Sequence, residues 1–141
     1  MAVLNSIFKY SLYIMEFGKL SQNDYKKILR FYKHPIHKNK YTRKKMAENI
    51  LAKKLCRCIK KVSKNKMHTI PEAKRTRISM KLSKAQANKD AVGICRNSVI
   101  TRKNLKNFGF SCKKKMRFRK RKNHTYKLLR RLRPIKKEII L

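Results

Sequence analysis

The excess of positive charge constrains this chain more than any other feature. Its 141 residues include 42 Lys and Arg against 6 Asp and Glu, which gives a formal net charge of +36. Every segment of the chain is cationic, and the residues after 112 are the most so. Self-repulsion of this size opposes compaction. We therefore expect the fold to be most stable beside a polyanion, whose phosphates remove the repulsion.

The content of apolar residues nevertheless predicts a folded part. Hydrophobic residues make up 41% of the chain, which is more than a purely disordered basic arm would carry. A chain of this length buries roughly two-thirds of the surface that it exposes when unfolded. We predict three units: an apolar N-terminal segment at 1–20, a small helical domain at 21–112 and a basic C-terminal arm at 113–141.

The N-terminal segment bears on localisation. Polar residues interrupt its apolar run at Asn5, Ser6 and Lys9, so the run is too short to span a bilayer. No basic region precedes it and no clear cleavage site follows it, which argues against secretion. We therefore expect an intracellular, non-secreted protein whose four cysteines are reduced.

Hydrophobic periodicity predicts a mainly α fold, a small bundle of three or four basic amphipathic helices. Ser21, with Asp24 in the first turn, is a helix-start signal, and this helix ends before Pro35. A second helix runs from Thr42 to about Val62. Its apolar stripe consists of Ala47, Leu51, Leu55, Cys58 and Val62.

The third helix follows a predicted linker at 63–68. It begins with a capping signature in the stretch TIPE, residues 69–72, and carries Ile78, Leu82 and Ala85 on one face. Residues 88–101 form either its continuation or a fourth helix.

The pattern changes after Leu105. Alternation in FGFSC and KMRFR, at 108–112 and 115–119, predicts a short hairpin or extended stretch, in which Phe108 and Phe110 are buried instead of stacking on bases. An extended arm would place Arg117, Arg119 and Arg121 on the side opposite Met116 and Phe118. The helical spacing of Tyr126, Leu129 and Leu132 predicts a last helix before Pro134.

Cations interleaved with aromatic side chains predict nucleic-acid binding, because Lys and Arg neutralise phosphates while Phe and Tyr stack on exposed bases. We expect the C-terminal arm to be the principal contact and the cationic side of the second helix to be the second, with little reading of base sequence. The predicted contact residues are Lys113, Lys114, Lys115, Arg117, Arg119, Lys120, Arg121, Lys122, Arg130, Arg131, Arg133, Lys53, Arg57 and Lys60.

A zinc site is a competing interpretation of Cys56, Cys58, Cys95 and Cys112. Structural zinc sites favour paired C-x-x-C units, whereas this chain has one C-x-C and two separated single cysteines. The helical step also turns Cys56 about 160° away from Cys58, so the two do not easily chelate one ion. We therefore expect no metal, and we expect Cys58 and Cys95 to be small buried hydrophobes.

No catalytic pattern stands out. The six acids form no recognisable pair for acid and base roles, and the three glycines provide no phosphate-binding loop or dinucleotide fingerprint. We expect a non-enzymatic protein with no cofactor and no small-molecule substrate.

Three stretches carry a resemblance to other proteins: FYKHPIHKNKYTRKKMAENI, LCRCIKKV and AVGICRNSVITRKNLKNFGFSCKKK. Together they resemble a group of short basic proteins encoded by large double-stranded DNA viruses of eukaryotes, over about residues 20–115. The resemblance implies an intracellular viral protein packaged with the genome in the virion. It supplies no functional residues.

Two other functions remain open at this point. The first is a structural component of a ribosome or another ribonucleoprotein, in which basic arms thread between RNA helices. The second is a capsid-associated cement protein whose positive surface meets acidic protein or an anionic membrane surface. Nucleic acid bound by the purified protein distinguishes these alternatives.

Overall fold

A computed structural model describes residues 17–68, 71–120 and 126–133 of the chain. Within these ranges the fold is mainly α, as the periodicity predicts. The helices are α1 (Gln22–Phe31), α2 (Lys40–His68) and α3 (Arg77–Val99). The strands are short: β1 (Phe17–Gly18), β2 (Leu105–Asn107), β3 (Gly109–Ser111), β4 (Arg117–Arg119) and β5 (Leu128–Arg131).

Helix α1 begins at the predicted cap. The Ser21 hydroxyl accepts a hydrogen bond from the Asp24 N–H at 3.3 Å, and the Asp24 carboxylate accepts one from the Ser21 N–H at 2.9 Å. This reciprocal pair satisfies two backbone donors that the helix itself leaves free. The helix then buries Tyr25, Ile28 and Leu29 against the rest of the protein.

Asp24 also holds the C-terminal part of the chain. Its carboxylate is almost fully buried, and one oxygen lies 3.4 Å from the Arg130 guanidinium on β5. We expect Asp24→Asn to lower the free energy of unfolding by about 1–3 kcal/mol, because the buried carboxylate loses its charge-assisted hydrogen bonds to the Ser21 N–H and to Arg130, whose own side chain is 41% exposed. The matched change is Asp90→Asn, whose ion pair with Lys66 is 40% exposed on both sides, and it should cost less than about 1 kcal/mol. If urea unfolding shows that Asp24→Asn and Asp90→Asn lower the free energy of unfolding equally, this account is contradicted.

Helix α2 is longer at both ends than the sequence predicts. Its start lies before Thr42, because the side-chain oxygen of Asn39 accepts hydrogen bonds from the N–H groups of Tyr41, at 2.9 Å, and Thr42, at 3.4 Å. The predicted linker at 63–68 is wrong, since the helix continues through it to His68.

Contacts with α3 account for the extension of α2. The Ser63 hydroxyl donates to the side-chain oxygen of Asn88 at 2.5 Å, and the Lys66 ammonium lies 3.3 Å from the Asp90 carboxylate. Residues 63–68 contain no Gly or Pro to end the helix. Tertiary packing therefore decides the end of α2, and local sequence does not.

The predicted stripe on α2 forms the centre of the core. Ala47, Leu51 and Leu55 are fully buried, and Cys58 and Val62 pack against the same cluster while remaining partly exposed. This stripe is confirmed residue by residue.

Helix α3 starts later than predicted and then runs unbroken. A capping box joins Thr76 and Ser79, whereas residues Glu72–Lys74 form a single 3₁₀ turn. Thr69 and Ile70 lie outside the described residues. Residues 88–99 continue the same helix, and among the described residues no atom lies within 4 Å of where a Cβ on Gly93 would be. The face that carries Ile78 and Leu82 is not covered within the described part of the chain, where these two side chains are 74% and 68% exposed.

Residues 128–131 form a strand. β5 lies between β1 and β2 in a three-stranded antiparallel sheet, with Leu128 opposite Asn107 and Arg130 opposite Leu105. The predicted helix at 126–132 is therefore wrong. Leu128, which is not on the predicted helical face, is the residue of β5 that is buried. Pairing on both edges of β5 provides hydrogen-bond partners for its backbone N–H and C=O groups.

The predicted hairpin is confirmed. β3 and β4 pair antiparallel with Phe110 opposite Phe118. Arg117 and Arg119 are exposed while Phe118 between them is 2% exposed, as an extended segment with one apolar side requires. Phe110 packs against the core and Phe108 is partly buried.

The cysteines form two disulfides, so the prediction of reduced thiols is wrong. Cys58 on α2 bonds to Cys95 on α3, and Cys56 on α2 bonds to Cys112 beside the hairpin. The Cα atoms are 5.8 and 5.6 Å apart, within the usual range for a disulfide. Because the helical step separates Cys56 from Cys58, each reaches a different element. No thiol remains free to bind zinc.

None of the described helices is both long enough and apolar enough to cross a membrane.

Candidate nucleic-acid interface

One face of α2 is a row of exposed side chains, all of them cations except Asn49. Lys45, Asn49 and Lys53 follow one another at intervals of four residues and therefore lie on the same side of the helix. The row continues along the same face, and all its side chains are exposed: Arg57, Lys60 and Lys64. Lys45 and Lys64 are nineteen residues apart in sequence, and the α-helix rises about 1.5 Å per residue, so this face is about 28 Å long.

The cationic hairpin lies against this helix. Its tip, at 113–116, contains three consecutive lysines. Phe118 anchors β4 in the core, while the disulfide from Cys112 to Cys56 ties the start of the tip to α2. One buried aromatic ring and one covalent bond therefore hold the hairpin in position.

A groove with a cavity volume of about 480 Å³ separates helix and hairpin. We call it the main groove. One wall is the α2 row of Lys45, Asn49 and Lys53, and the floor and opposite wall come from the hairpin and the segment before β5: Lys115, Met116, Arg117 and Lys127.

A second, smaller recess continues the main groove toward the start of α2. It has a volume of about 170 Å³ and shares Lys45 and Lys127 with the main groove. We call it the side recess. Its remaining lining residues are Tyr41, Lys44, Glu48 and Lys120.

Groove and recess together have seven cationic lining residues and one acid. Like charges held this close repel one another, so the arrangement costs free energy in the absence of a counter-charge. The disulfide and the buried Phe118 hold the hairpin in place despite that repulsion. A surface of this kind can bind a chain of phosphates, because several cations in a row along a groove match a row of negative charges.

Glu48 is the single acid of the site. Its side chain is 9% exposed, one oxygen lies 3.9 Å from the Lys127 ammonium, and the other has no hydrogen-bond partner among the described residues. Burial raises the pKa of Glu48 above its ordinary value, while Lys127, Lys44 and Lys120 act in the opposite direction. Tyr25 faces it from α1, and burial together with the Glu48 charge raises the pKa of that phenol.

The raised pKa of Glu48 gives a pH-dependent stability of known sign. The folded state binds the proton more tightly than the unfolded chain, so ionised Glu48 lowers stability above its folded pKa, and this cost disappears as pH falls toward the unfolded value of 4.5. Glu48→Gln should therefore raise the free energy of unfolding at pH 7 and change it less at pH 5. Urea unfolding of both proteins at the two pH values measures this difference. A variant less stable than the parent at pH 7 would show that the Lys127 pair outweighs the burial cost.

The structure brings four of the predicted contact residues to the groove and recess: Lys53, Lys115, Arg117 and Lys120. Lys113 and Lys114 are exposed at the adjoining tip, and Arg57 and Lys60 extend the α2 row. Arg119 lines a separate cavity. Arg121 and Lys122 lie outside the described residues.

The predicted helical patch of Arg130, Arg131 and Arg133 is not present, because this segment is a strand. Arg130 pairs with Asp24, and the Arg131 guanidinium lies 5.2 Å from the centre of the Phe17 ring. These two cations therefore contribute to packing within the fold. Arg133 is exposed.

Lys44, Lys45, Asn49 and Lys127 belong to the site but are missing from the sequence prediction. The interval of four residues from Lys45 to Lys53 is a signal that the sequence does contain. No local signal identifies Lys127, because its position depends on the pairing of β5 with two distant strands.

Within the described ranges, no group of three or more His, Cys, Asp or Glu side chains is arranged to hold a metal ion.

Comparison with known proteins gives no match: the chain fits no protein-family model, and no curated protein and no solved structure is detectably similar to it. The resemblance to short basic viral proteins therefore stays a prediction.

Proposed function

We propose that this chain is a non-enzymatic nucleic-acid-binding protein that neutralises phosphate backbone along the main groove and the side recess. The observation that carries the proposal is the preformed groove, in which seven cations from α2, the hairpin and the segment before β5 face a shared space beside one acid. A net charge of +36 adds long-range attraction for any polyanion.

The mechanism is release of counterions from the phosphates as the lysines and arginines take their place. The exposed α2 row extends the contact beyond the groove along the helix. Contacts of this kind position the polymer without reading its sequence, so binding should depend weakly on base composition.

The two disulfides bear on where the protein would act. Disulfides persist in oxidising environments and on virion surfaces, and they are rare in the reducing cytosol. A protein packaged with a viral genome leaves the cytosol within the particle, and the disulfides are compatible with that form of the proposal. They weigh against a component of a cytosolic ribosome.

Fluorescence anisotropy of the purified chain with labelled 20-nucleotide polymers tests the proposal. We expect single-stranded DNA, duplex DNA and duplex RNA all to bind. Polyglutamate of the same charge should bind more weakly than either duplex, because it carries one charge per about 3.5 Å of extended chain whereas a duplex carries one per about 1.7 Å of its axis. Binding to polyglutamate or anionic vesicles without binding to any nucleic acid would contradict the proposal and favour the cement function. A clear preference for duplex RNA would favour the ribonucleoprotein function.

A further inference from the structure

A third cavity lies between the end of α3, β2 and β4. Its volume is about 450 Å³, within the range of roughly 300–1,000 Å³ that is typical of small-molecule sites. It is lined chiefly by Arg96, Lys106, Asn107, Phe108, Arg119 and Lys120. We call it the Asn107 cavity. We propose that it binds one unpaired nucleotide of a single-stranded polynucleotide. The claim that this nucleotide belongs to a polymer rests on the proposed function, whereas binding of the nucleotide itself does not.

The cations of this cavity suit a phosphate. Four of its lining residues are Lys or Arg, and they come from three elements: the end of α3, β2, and β4 with the residue after it. The Arg96 guanidinium donates a hydrogen bond to the Asn107 carbonyl oxygen at 3.4 Å, which fixes its side chain at the cavity wall. Arg96, Arg119 and Lys120 around one space suit an anion, whereas the Lys106 ammonium lies 4.8 Å from the centre of the Phe17 ring.

The side chain of Asn107 indicates that the ligand is more than an anion. Asn107 is 1% exposed, and its Nδ2 donor has no hydrogen-bond partner among the described residues. An unsatisfied buried donor costs about 1–3 kcal/mol, and such a group in a native structure calls for a ligand or water. The carbonyl oxygens and ring nitrogens of a nucleobase are acceptors of the required kind, and they reach this donor when the side chain turns toward the cavity, because Nδ2 itself has almost no accessible surface.

Phe108 supplies the apolar part of the site. Its ring is partly buried and lines the same cavity as Asn107. A site for inorganic phosphate alone needs neither an aromatic wall nor a buried amide. A nucleotide uses all three features, because its phosphate meets the cations while its base meets the ring and the amide.

The Asn107 cavity connects to the proposed polymer path. Lys120 lines both this cavity and the side recess, so a strand that lies in the groove reaches the cavity at Lys120. A base paired in a duplex is held within the stack and does not enter a side cavity. The inference therefore adds a preference for single strands to a surface that otherwise binds any phosphate backbone.

Two-dimensional ¹H–¹⁵N NMR of the full chain tests this inference through the Asn107 side-chain amide. We titrate with adenosine 5′-monophosphate, ribose 5-phosphate and inorganic phosphate at low salt. Adenosine monophosphate should shift the Asn107 amide signals and bind at least about tenfold more tightly than ribose 5-phosphate, a difference of about 1.4 kcal/mol. Arg119→Gln, which alters an exposed residue of the cavity, should weaken that binding several-fold without unfolding the protein.

Other outcomes overturn the inference in distinguishable ways. Equal affinity for all three ligands would make the cavity a plain phosphate site, and binding that Arg119→Gln leaves unchanged would place the nucleotide elsewhere. If the chain binds duplex DNA but not adenosine monophosphate, the inference fails and the proposed function stands. If it binds the nucleotide but no polymer, the proposed function fails and the cavity retains its ligand.

Discussion

Replacing Lys53, Lys115 and Arg117 together by glutamine should weaken binding to a 20-base-pair duplex by about a hundredfold to a thousandfold at 100 mM salt. These three residues contribute to both walls of the main groove. Each lost phosphate contact removes about one released counterion, so the slope of log K against log salt should become less steep by about three. All three side chains are exposed, so the fold should be retained, as circular dichroism would show.

A variant with the same loss of charge provides the control. Lys81, Lys84 and Lys89 are exposed on α3 and belong to neither the main groove nor the side recess. Changing these three to glutamine lowers the net charge equally but should weaken binding less than about tenfold, through the general field alone. Equal losses in the two variants would show that total charge governs binding and that the groove has no special role.

Removal of the disulfides should have the largest effect on stability. Cys56→Ala with Cys112→Ala opens a link across 56 residues, and Cys58→Ala with Cys95→Ala opens one across 37 residues. Each pair should lower the free energy of unfolding by about 2–4 kcal/mol, because the unfolded chain gains conformational freedom. Urea unfolding followed by circular dichroism measures both losses.

The two disulfide variants should differ in binding. Of the two disulfides, the Cys56–Cys112 bond is the one that ties the cationic hairpin to α2, so its removal allows the repelling lysines to separate and should weaken duplex binding by about tenfold or more. The Cys58–Cys95 bond joins α2 to α3, and its removal should leave affinity nearly unchanged at temperatures where the variant is folded. Affinity that is equally reduced in both variants would contradict a specific role for the hairpin.

Local signals were sufficient for the parts of the fold that local interactions determine. The cap at Ser21, the stripe from Ala47 to Val62 and the hairpin around Phe110 and Phe118 are all present. The errors lie where distant residues decide the structure. Residues 63–68 are helical because α3 packs against them, and residues 128–131 are a strand because β1 and β2 lie on either side.

The candidate site could be predicted from the sequence only in part, for the same reason. The sequence identifies Lys53, Lys115 and Arg117 as contact residues by charge and neighbouring aromatics. It does not show that a disulfide brings the hairpin to α2, because the spacing of four cysteines does not determine their pairing. The opposite directions of Cys56 and Cys58 on the helix, which argue against a shared metal ion, are also the geometry that two separate disulfides require.

The salt dependence of duplex binding tests the central claim most directly. If the groove replaces counterions on about six phosphates, log K for the unmodified chain should fall against log salt with a slope of about −5, which is a loss of roughly a thousandfold between 50 and 200 mM. A binding constant that stays the same over this range would contradict the account.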